Sequence, residues 1–545
     1  MIASQPGRPI LSFFLAWVVL VAASLGRAAP YEWTWVAGSS TAGLPAVYGT
    51  QGTPAAGNRP PANGGVSGRD STGRIWLLDA NMNIWRYDPA TGQWVWLNGG
   101  GSTVPALNWG TKGIEAPTNH PGTRNGIGAV WDLTGRLWLY GGTTTISGSG
   151  FFFGDLWRYD GGTNQWTWMT GTNTSFTSAT FGVRNVTSET NNPGMRSGFM
   201  GSLDPQGRLV FFGGGASTPA CDVWRYDSTT NWWVWLGGAQ GTLIAGIYGT
   251  QGVPSTSNRI GSRASGSTLW LPEDGTIWIF GGWGFDGSGD YNLYPMNDLW
   301  RFNPASNEWT WMNGVPVVGY ASHANGFPGA YGTKNVASAS NQPGSRRNHT
   351  SWLDPQGDLW MMGGTGLDST ASQTTGVLND VWKYSRGTGQ WTWMAGAHLK
   401  NQGAVFGILG SPAAVNTPDG VRGGTGSSWF DPSGSLRFIG GGGTADIWSF
   451  ELPVAPEIRV TRGLADVVDG SALQVTDAPS GGSSQTVLTI TNTGTTALSG
   501  IAATLSGTHA AEYSLTGPVV TTLAAGESTT ITIAFTPAAA GQRTA

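Results

Sequence analysis

Short apolar runs separated by glycine, proline, asparagine and aspartate recur along most of the chain. In the unit spanning residues 121–171, such runs fall at residues 127–131, 137–140, 156–159 and 166–168. β-Branched and aromatic runs this short, bounded by turn residues, are typical of strands. The pattern therefore predicts four short strands in each unit, joined by turns.

Tryptophans give these units a regular frame. Six times the chain has two tryptophans separated by one residue, at Trp33/Trp35, Trp94/Trp96, Trp166/Trp168, Trp233/Trp235, Trp309/Trp311 and Trp391/Trp393. A second motif, of the type Asp-Leu-Trp-Arg-Tyr, carries Trp85, Trp157, Trp224, Trp300, Trp382 and Trp448, and the first five of these precede a Trp-x-Trp pair by nine residues. Such self-similarity predicts a repeat architecture. Because strand side chains alternate between faces, both indoles of each pair lie on one face of a sheet.

The two ends of the repeat region complement each other. The sixth unit contains three predicted strands and ends at Phe450, whereas the chain opens with the unmatched pair Trp33/Trp35. Four-stranded units repeated radially form β-propellers. We therefore predict six blades, with the N-terminal strand joining the last sheet and removing an otherwise exposed edge.

The repeats resemble those of Kelch and galactose-oxidase-like propellers. The resemblance rests on the Pro-Gly-x-Arg sequence before the first strand, as in Pro121–Arg124, on the double glycine Gly141-Gly142 after the second strand, and on the third-strand tryptophan. It implies an all-β fold in which residues 29–453 form a six-bladed Kelch-type β-propeller closed by the N-terminal strand. Such propellers serve many unrelated roles, so the resemblance implies little about function.

A different composition follows Pro453. Residues 454–545 lack tryptophan and contain alternating β-branched segments, such as residues 486–491 and 528–536. Short strands of this kind favour an immunoglobulin-like β-sandwich. The phrases Asn492-Thr493-Gly494 and Phe535-Thr536-Pro537 also resemble the Hydin-type modules of bacterial surface proteins. The sequence ends where that family would continue into a last strand, so we expect a truncated module.

The N-terminal segment predicts secretion. Arg8 precedes an apolar run from Ile10 to Leu25, and small residues follow. This pattern is typical of a signal peptide, here residues 1–28, and the run is short for a membrane span. We therefore predict a secreted or cell-surface protein whose mature chain does not insert into the membrane. The net charge of −4 argues against non-specific binding to nucleic acid.

Few residues suggest catalysis. The galactose-oxidase resemblance implies a copper centre of two tyrosines, two histidines and a cysteine joined to a tyrosine, and this set is not recognisable here. The single Cys221 excludes an intrachain disulfide framework, and the five histidines lack metal-ligand spacing. We therefore predict no cofactor, no catalytic residue and no metal site. Asp286 and Asp290 have a spacing compatible with calcium, but a glycine-rich turn explains them better.

The connections between strands indicate a binding surface. In an antiparallel sheet the connections between strands two and three, and those between successive units, emerge at the same end. Here they are long and varied, which is typical of functional loops on a rigid scaffold. The candidate ligand-binding residues are Trp283, Tyr291 and Tyr294 in one such connection, and the arginines before the first strands, Arg124, Arg196, Arg346 and Arg422.

Each of these candidates also has a structural explanation. A buried charge is usually paired, so each arginine is expected to bond an aspartate or carbonyl of its own sheet. The aromatic loop is as well explained by rings that pack on one another. The connections between units repeat an aromatic-Gly-Thr motif at Tyr48, Trp109, Tyr248 and Tyr331, and this regularity favours a structural role.

The sequence leaves two functions open. The favoured one is a binding or adhesion module that uses the long-connection face to bind an extracellular protein or glycan. The other is a secreted carbohydrate-active enzyme with acids or histidines from different blades at the propeller axis on that face. Convergent carboxylates or histidines would favour the enzyme, and aromatic residues without them would favour binding.

Overall fold

The protein is all-β, as the sequence predicts. The computed structural model describes residues 10–12 and 31–539, except residues 42, 62–64, 104, 147, 216–218, 267, 291, 318–324, 355, 371, 421–426, 431–434, 440–445, 453–457, 464, 468–471, 493–496, 506–508, 519 and 525–526. Within this range the elements are strands, apart from a short 3-10 helix at Ala510–Glu512. The chain divides into two compact units, one of Tyr31–Glu451 and one that combines Met1–Pro30 with Leu452–Ala545.

The larger unit contains six antiparallel sheets of four or five strands and one separate two-stranded hairpin, and the first three of the six contain the predicted four strands in order, with Thr187–Ser188 as an added edge strand in the third. The strands are Gly65–Arg69, Ile75–Asp79, Ile84–Asp88 and Gln93–Asn98 in the first sheet, Gly128–Trp131, Arg136–Tyr140, Leu156–Asp160 and Gln165–Thr170 in the second, and Met200–Leu203, Leu209–Phe212, Val223–Asp227 and Trp232–Gly237 in the third. The second strands are almost continuously apolar because neighbouring sheets cover both of their faces. Ile75–Asp79, for example, is buried at every position.

The fourth and fifth sheets each begin with two short strands that pair with one long strand. The strands are Arg263–Ser265, Thr268–Trp270, Ile277–Gly284, Tyr294–Asn303 and Glu308–Asn313 in the fourth sheet, and Arg346–Arg347, Thr350–Leu353, Leu359–Gly366, Gly376–Ser385 and Gln390–Ala395 in the fifth. We number their strands from Thr268–Trp270 and Thr350–Leu353, so that strands one to four correspond to those of the other sheets.

The sixth sheet takes its fourth strand from the N-terminal end of the unit. Its first three strands are Ser427–Phe430, Leu436–Ile439 and Ile447–Phe450. Trp33–Ala37 pairs with the third of these, with Trp33 opposite Phe450 and Trp35 opposite Trp448. The Trp33 ring is buried and lies 4.6 Å from that of Phe450, centroid to centroid. The unmatched tryptophan pair of the sequence therefore occupies the fourth-strand position of this sheet.

Successive sheets contact one another through their first strands. Gly65–Arg69 contacts Gly128–Trp131, and the same relation continues from each sheet to the next. Ser427–Phe430 of the sixth sheet in turn contacts Gly65–Arg69 of the first. Tryptophans also form the core between the sheets, as where Trp76 of the first sheet packs against Trp131 of the second at 5.3 Å between ring centroids.

The double glycines do not always end the second strand. In the fourth sheet the strand runs through Gly281-Gly282 as far as Gly284, and it is matched by a third strand that begins at Tyr294. Both glycines have positive φ, and the register shifts at this point, as in a β-bulge. The fifth sheet does the same at Gly364. The sequence predicted a loop from Trp283 to Pro295, but Trp283 pairs with Pro295 within the sheet.

A repeated segment, here called the edge segment, covers the outer side of every fourth strand. It precedes the first strand of its sheet, begins with an aromatic residue and a glycine, and ends nine residues after that glycine with an asparagine. Its six copies begin at Tyr48, Trp109, Phe181, Tyr248, Tyr331 and Phe406 and end at Asn58, Asn119, Asn191, Asn258, Asn341 and Asn416. The segment pairs with the fourth strand at one or two residues. No fourth strand of these six sheets therefore presents a long, open edge, which protects against edge-to-edge association.

The smaller unit forms its own sheet. The strands, in spatial order, are Ala465–Asp466, Ile458–Arg462, Ser484–Asn492, Ser528–Phe535 and Tyr513–Thr516. Two further pairs join Leu498–Ser499 with Thr522–Leu523 and Ile10–Ser12 with Ala472–Gln474. The long central strands alternate buried and less buried positions, as expected of a sheet with one face on the core. Leu488, Ile533 and Phe535 belong to that core.

Candidate functional site

The two ends of the six sheets differ in their connections. At one end, aspartates close tight turns between strands one and two. Asp132 is typical, because its Oδ1 accepts hydrogen bonds from the backbone N–H groups of Thr134 and Arg136. At the other end, the connections between strands two and three range from the short turn at residues 80–83 to an additional hairpin in the second sheet. Variation is therefore concentrated at this second end, here called the long-connection face, where binding residues are most often found.

Three of the predicted arginines, Arg124, Arg196 and Arg346, are buried inside single sheets. Arg346 is fully buried, and its two terminal nitrogens donate to Asp380 Oδ1 and Oδ2, both at 2.7 Å. Its remaining bonds go to the carbonyls of Gly344 and Gly363. Although burial lowers the pKa of Arg346, the charge of Asp380 raises it above its ordinary value. The guanidinium thus clamps the start of the sheet, the double glycine and the third strand together.

The same clamp recurs in neighbouring sheets. Arg124 pairs with Asp155 and Arg196 with Asp222, and each also donates to the first carbonyl of a double glycine. Arg263, which the sequence places one position out of frame, pairs with Asp298. The guanidiniums of Arg124, Arg196 and Arg346 are buried and bonded to aspartates and carbonyls, so they offer nothing to a ligand. We therefore remove Arg124, Arg196 and Arg346 from the candidate ligand contacts in favour of the structural alternative. Arg422 lies outside the described residues.

The aspartate of each clamp also organises the aromatic frame. Asp380 Oδ2 accepts hydrogen bonds from Trp382 Nε1 and from the hydroxyl of Tyr331, both at 2.7 Å. Burial, and next the charge of Asp380, raise the pKa of Tyr331 well above its usual value, so this tyrosine remains a donor. Tyr331 is the first residue of its edge segment, and its ring packs between Trp382 and Trp393. The aromatic-Gly-Thr motif thus has the structural role that the sequence favoured.

The predicted aromatic connection of the fourth sheet is largely packed. Tyr294 is buried, and its hydroxyl donates to Asp290 Oδ2 at 2.6 Å. Trp283 is half-buried, and the Arg347 guanidinium lies 4.6 Å from its ring centroid. Tyr291 lies outside the described residues. Tyr294 is therefore held by a hydrogen bond within its own connection, and the Trp283 ring contacts a cation of the fifth sheet.

The acidic residues of the same connection close a turn. Asp286 is buried, and its Oδ1 accepts hydrogen bonds from the backbone N–H and the hydroxyl of Ser288. Asp290 accepts from the Asn292 backbone as well as from Tyr294. In the described part of the chain, no group of three or more histidine, cysteine, aspartate or glutamate side chains is arranged to hold a metal ion. Cys221 is fully buried, and burial raises the pKa of its thiol to about 11.

Among the residues that the structure describes, the most exposed aromatic side chain lies beside the second sheet. Its strands two and three are joined through a separate hairpin, Thr143–Ile146 and Ser149–Phe152. Phe152 on this hairpin packs against Phe176, whose side chain is 64% exposed. Neither Phe152 nor Phe176 is among the ligand-binding residues that the sequence predicted. No sequence signal marks Phe176, because its proximity to Phe152 arises only in the folded chain.

Comparison with known proteins supports the assignment of the smaller unit. The family model for the HYDIN/CFA65/VesB-like Ig-like domain matches residues 468–545, so the prediction of an immunoglobulin-like module is confirmed. No curated protein matches the chain. A solved structure of YjhT is similar at 13% identity and a TM-score of 0.39, over 79% of this chain and 99% of that one. Among the described residues, no helix has the length and apolar character needed to span a membrane.

Proposed function

We propose that the six sheets form a six-bladed Kelch-type β-propeller of residues 29–453, closed by Trp33–Ala37. Three observations support this architecture. The sheets share one strand order, their first strands contact one another in sequence, and the first strand of the sixth sheet contacts that of the first. The sixth sheet is completed by a strand from the opposite end of the unit. Such closure holds the termini of the ring together.

We further propose that the protein is a secreted or surface-exposed binding module whose long-connection face binds an extracellular protein or glycan. The observation that carries this proposal is Phe176, which is 64% exposed and packs against Phe152 of the second-sheet hairpin at the variable end of an otherwise regular scaffold. Aromatic residues are favoured in the contact areas of binding sites. The buried arginine–aspartate pairs, in contrast, are part of the scaffold.

Secretion is supported by the signal-like pattern of residues 1–28. Expression in a host with a Sec pathway, followed by N-terminal sequencing of the extracellular protein, tests it. The expected N-terminus is Ala29, which would follow cleavage after Ala28. Recovery of the protein only inside the cell with an intact N-terminus would contradict this part of the proposal.

The binding face is tested with arrays of extracellular proteins and glycans probed with the purified chain. A variant combining Thr145→Arg with Thr375→Arg places large charged groups at exposed positions of the long-connection face, in the second and fifth sheets. The matched control is Ala90→Arg, at an exposed position in a tight turn of the opposite end. We expect the double variant to lose binding and the control to keep it. Absence of binding by the unmodified chain, or equal binding by all three, would contradict the proposal.

A further inference from the structure

We infer that the hairpin of the second sheet is a binding site for a neutral oligosaccharide. This inference rests on the proposed binding function and gives it a location and a ligand class. A shallow cleft of about 450 Å³ opens against the hairpin, lined by residues 143–145, residues 150–152 and Asn125. Small-molecule sites typically enclose roughly 300–1,000 Å³ and combine aromatic surface with a few polar groups. The cleft therefore has the size of a site for one or two sugar rings.

The register of the hairpin brings hydroxyl groups and an aromatic ring to one face. Thr143 lies directly opposite Phe152, and Thr145 lies opposite Gly150. Residues opposite each other, and residues two apart on one strand, share a face. A Cβ on Gly150 would approach only the Phe152 ring, at 3.9 Å. Because Gly150 has no side chain, the space between the two threonines and the Phe152 ring stays open on this face of the hairpin.

Phe176 extends the aromatic surface from a neighbouring segment. Its ring centroid lies 5.5 Å from that of Phe152. Ser175 fixes the segment to the hairpin, because its hydroxyl accepts a 2.9 Å hydrogen bond from the Phe152 N–H. Phe176 itself has φ of 62° and is 64% exposed. Positive φ is unfavourable for a bulky residue, and an exposed phenylalanine held in this conformation gains little from burial. Backbone strain of this kind is concentrated at functional sites.

The polar groups of the cleft are available to a ligand. Asn125 is tied to Thr143 by two backbone hydrogen bonds of 2.8 and 2.9 Å, while its residue surface remains exposed. Within the described part of the chain, the Asn125 amide and the Thr143 and Thr145 hydroxyls bond no protein group. An amide provides two donors and an acceptor, and each hydroxyl both donates and accepts. This combination suits the hydroxyl groups of a sugar lying against the phenylalanine rings.

The absence of charge in the lining specifies the ligand further. None of the residues that line the cleft is acidic or basic. The nearest arginine along the chain, Arg124, is buried and paired with Asp155. An acidic polysaccharide would find no cation here, and a basic ligand would find no anion. The geometry therefore favours a neutral sugar over a charged one.

The experiment measures binding of the purified chain to neutral oligosaccharides, namely cello-, xylo-, manno-, malto- and chito-oligosaccharides, and to the acidic controls oligogalacturonate and heparin fragments. Isothermal titration then compares the unmodified chain with Phe176→Ala and Thr145→Asp. The control is Leu133→Ala, which removes a 56% exposed apolar residue from the opposite end of the same sheet. Phe176→Asn is a second variant at the strained position, because asparagine tolerates positive φ.

We expect at least one neutral series to bind, a loss of at least tenfold in affinity for Phe176→Ala, Phe176→Asn and Thr145→Asp, and no change for Leu133→Ala. Phe176→Asn should melt at a temperature no lower than the unmodified chain, which separates a binding defect from unfolding. Thr375→Arg is measured as well. If Phe176→Ala and Thr145→Asp still bind but Thr375→Arg does not, the ligand binds elsewhere on the long-connection face. That result would contradict the hairpin site and support the proposed binding function. Selective binding of the acidic sugars or of a protein would refute the neutral-sugar assignment. No binding by the unmodified chain would overturn both.

Discussion

The arginine clamps show how single residues are coupled across each sheet. Five sheets carry the clamp aspartate two residues before the third-strand tryptophan, whereas the first sheet has Asn83 there. The first sheet also lacks the double glycine, and Asp79 takes over the bond to Trp85 Nε1 at 3.0 Å. Burial raises the pKa of Asp79. The first sheet thus has an amide at the position of the clamp aspartate and bonds the tryptophan through the buried Asp79.

The first prediction at this scale concerns the fifth-sheet clamp. Arg346→Met should lower the free energy of unfolding by about 3–5 kcal/mol, because it leaves the Asp380 carboxylate buried without its cation. The double variant Arg346→Met/Asp380→Asn should be less destabilised than Arg346→Met alone, since it removes the buried carboxylate that has lost its cation. Chemical denaturation of the unmodified chain and the variants, including Asp380→Asn, measures the coupling. Additive losses in the double variant would show that the two charges act independently.

A second residue-scale prediction concerns pH. Burial lowers the pKa of His349 well below its usual value and that of His120 to about 4. The unfolded chain takes up these protons near pH 6.5 and the folded chain does not, so stability decreases as the pH falls below 6.5. At pH 5 each buried histidine should cost about 2 kcal/mol. We expect His349→Leu to lose less stability than the unmodified chain between pH 7 and pH 5. An equal loss of unfolding free energy in the two proteins between pH 7 and pH 5 would contradict this prediction.

At the scale of the element, the edge segment is held by one asparagine. Asn341 Nδ2 donates to the carbonyls of Val336 and Trp391, at 2.8 and 3.0 Å. The same pair of bonds recurs in all six copies. Gly332 must stay without a side chain, because it has φ of 60° and a Cβ there would meet Asn341 Oδ1 at 2.2 Å. Aromatic residue, glycine and asparagine thus form one structural device.

The element-scale prediction is that Asn341→Ala lowers the free energy of unfolding by about 1–3 kcal/mol, because it leaves two carbonyls without their donor. Ser340→Ala is the matched control, since it changes the adjacent, exposed position and should have an effect within about 0.5 kcal/mol. Hydrogen exchange of the fifth-sheet amides should accelerate in Asn341→Ala as the edge segment loosens. Equal stability of the two variants would show that the asparagine does not hold the segment.

At the scale of the whole molecule, the N-terminal strand completes the sixth sheet. Deleting residues 29–37 removes the partner of Ile447–Phe450 and the buried Trp33 ring. We expect a lower melting temperature and aggregation, because a sheet edge is then exposed. The control is a chain that lacks residues 2–28 only, and the deletion of residues 29–37 is made in that same background, because Ile10–Ser12 itself pairs with Ala472–Gln474. An unchanged melting temperature after deletion of residues 29–37 would refute the structural role of this strand.

The sequence by itself determined the features that depend on local pattern. Strand periodicity and turn residues located the strands of six units, and the unmatched Trp33/Trp35 pair identified the strand that joins the sixth sheet. The change in composition after Pro453 located the immunoglobulin-like module. These features were readable because side-chain alternation and turn chemistry act over a few residues. The strand pattern of a single unit is weak evidence, but its recurrence in six units made the prediction of a repeat fold secure.

Only the tertiary structure decided which of the candidate side chains are buried and which are exposed. Arg346 and Asp380 are far apart in sequence, so their pairing, which removes the arginine from the surface, depends on how the strands meet. The bulge at Gly281-Gly282 carried Trp283 into the sheet instead of a loop. Phe176 and Phe152 lie on separate segments, and their rings come into contact only in the folded chain. No sequence pattern specifies the positive φ of Phe176. Burial and exposure arise from contacts between distant residues, and a local pattern does not contain them.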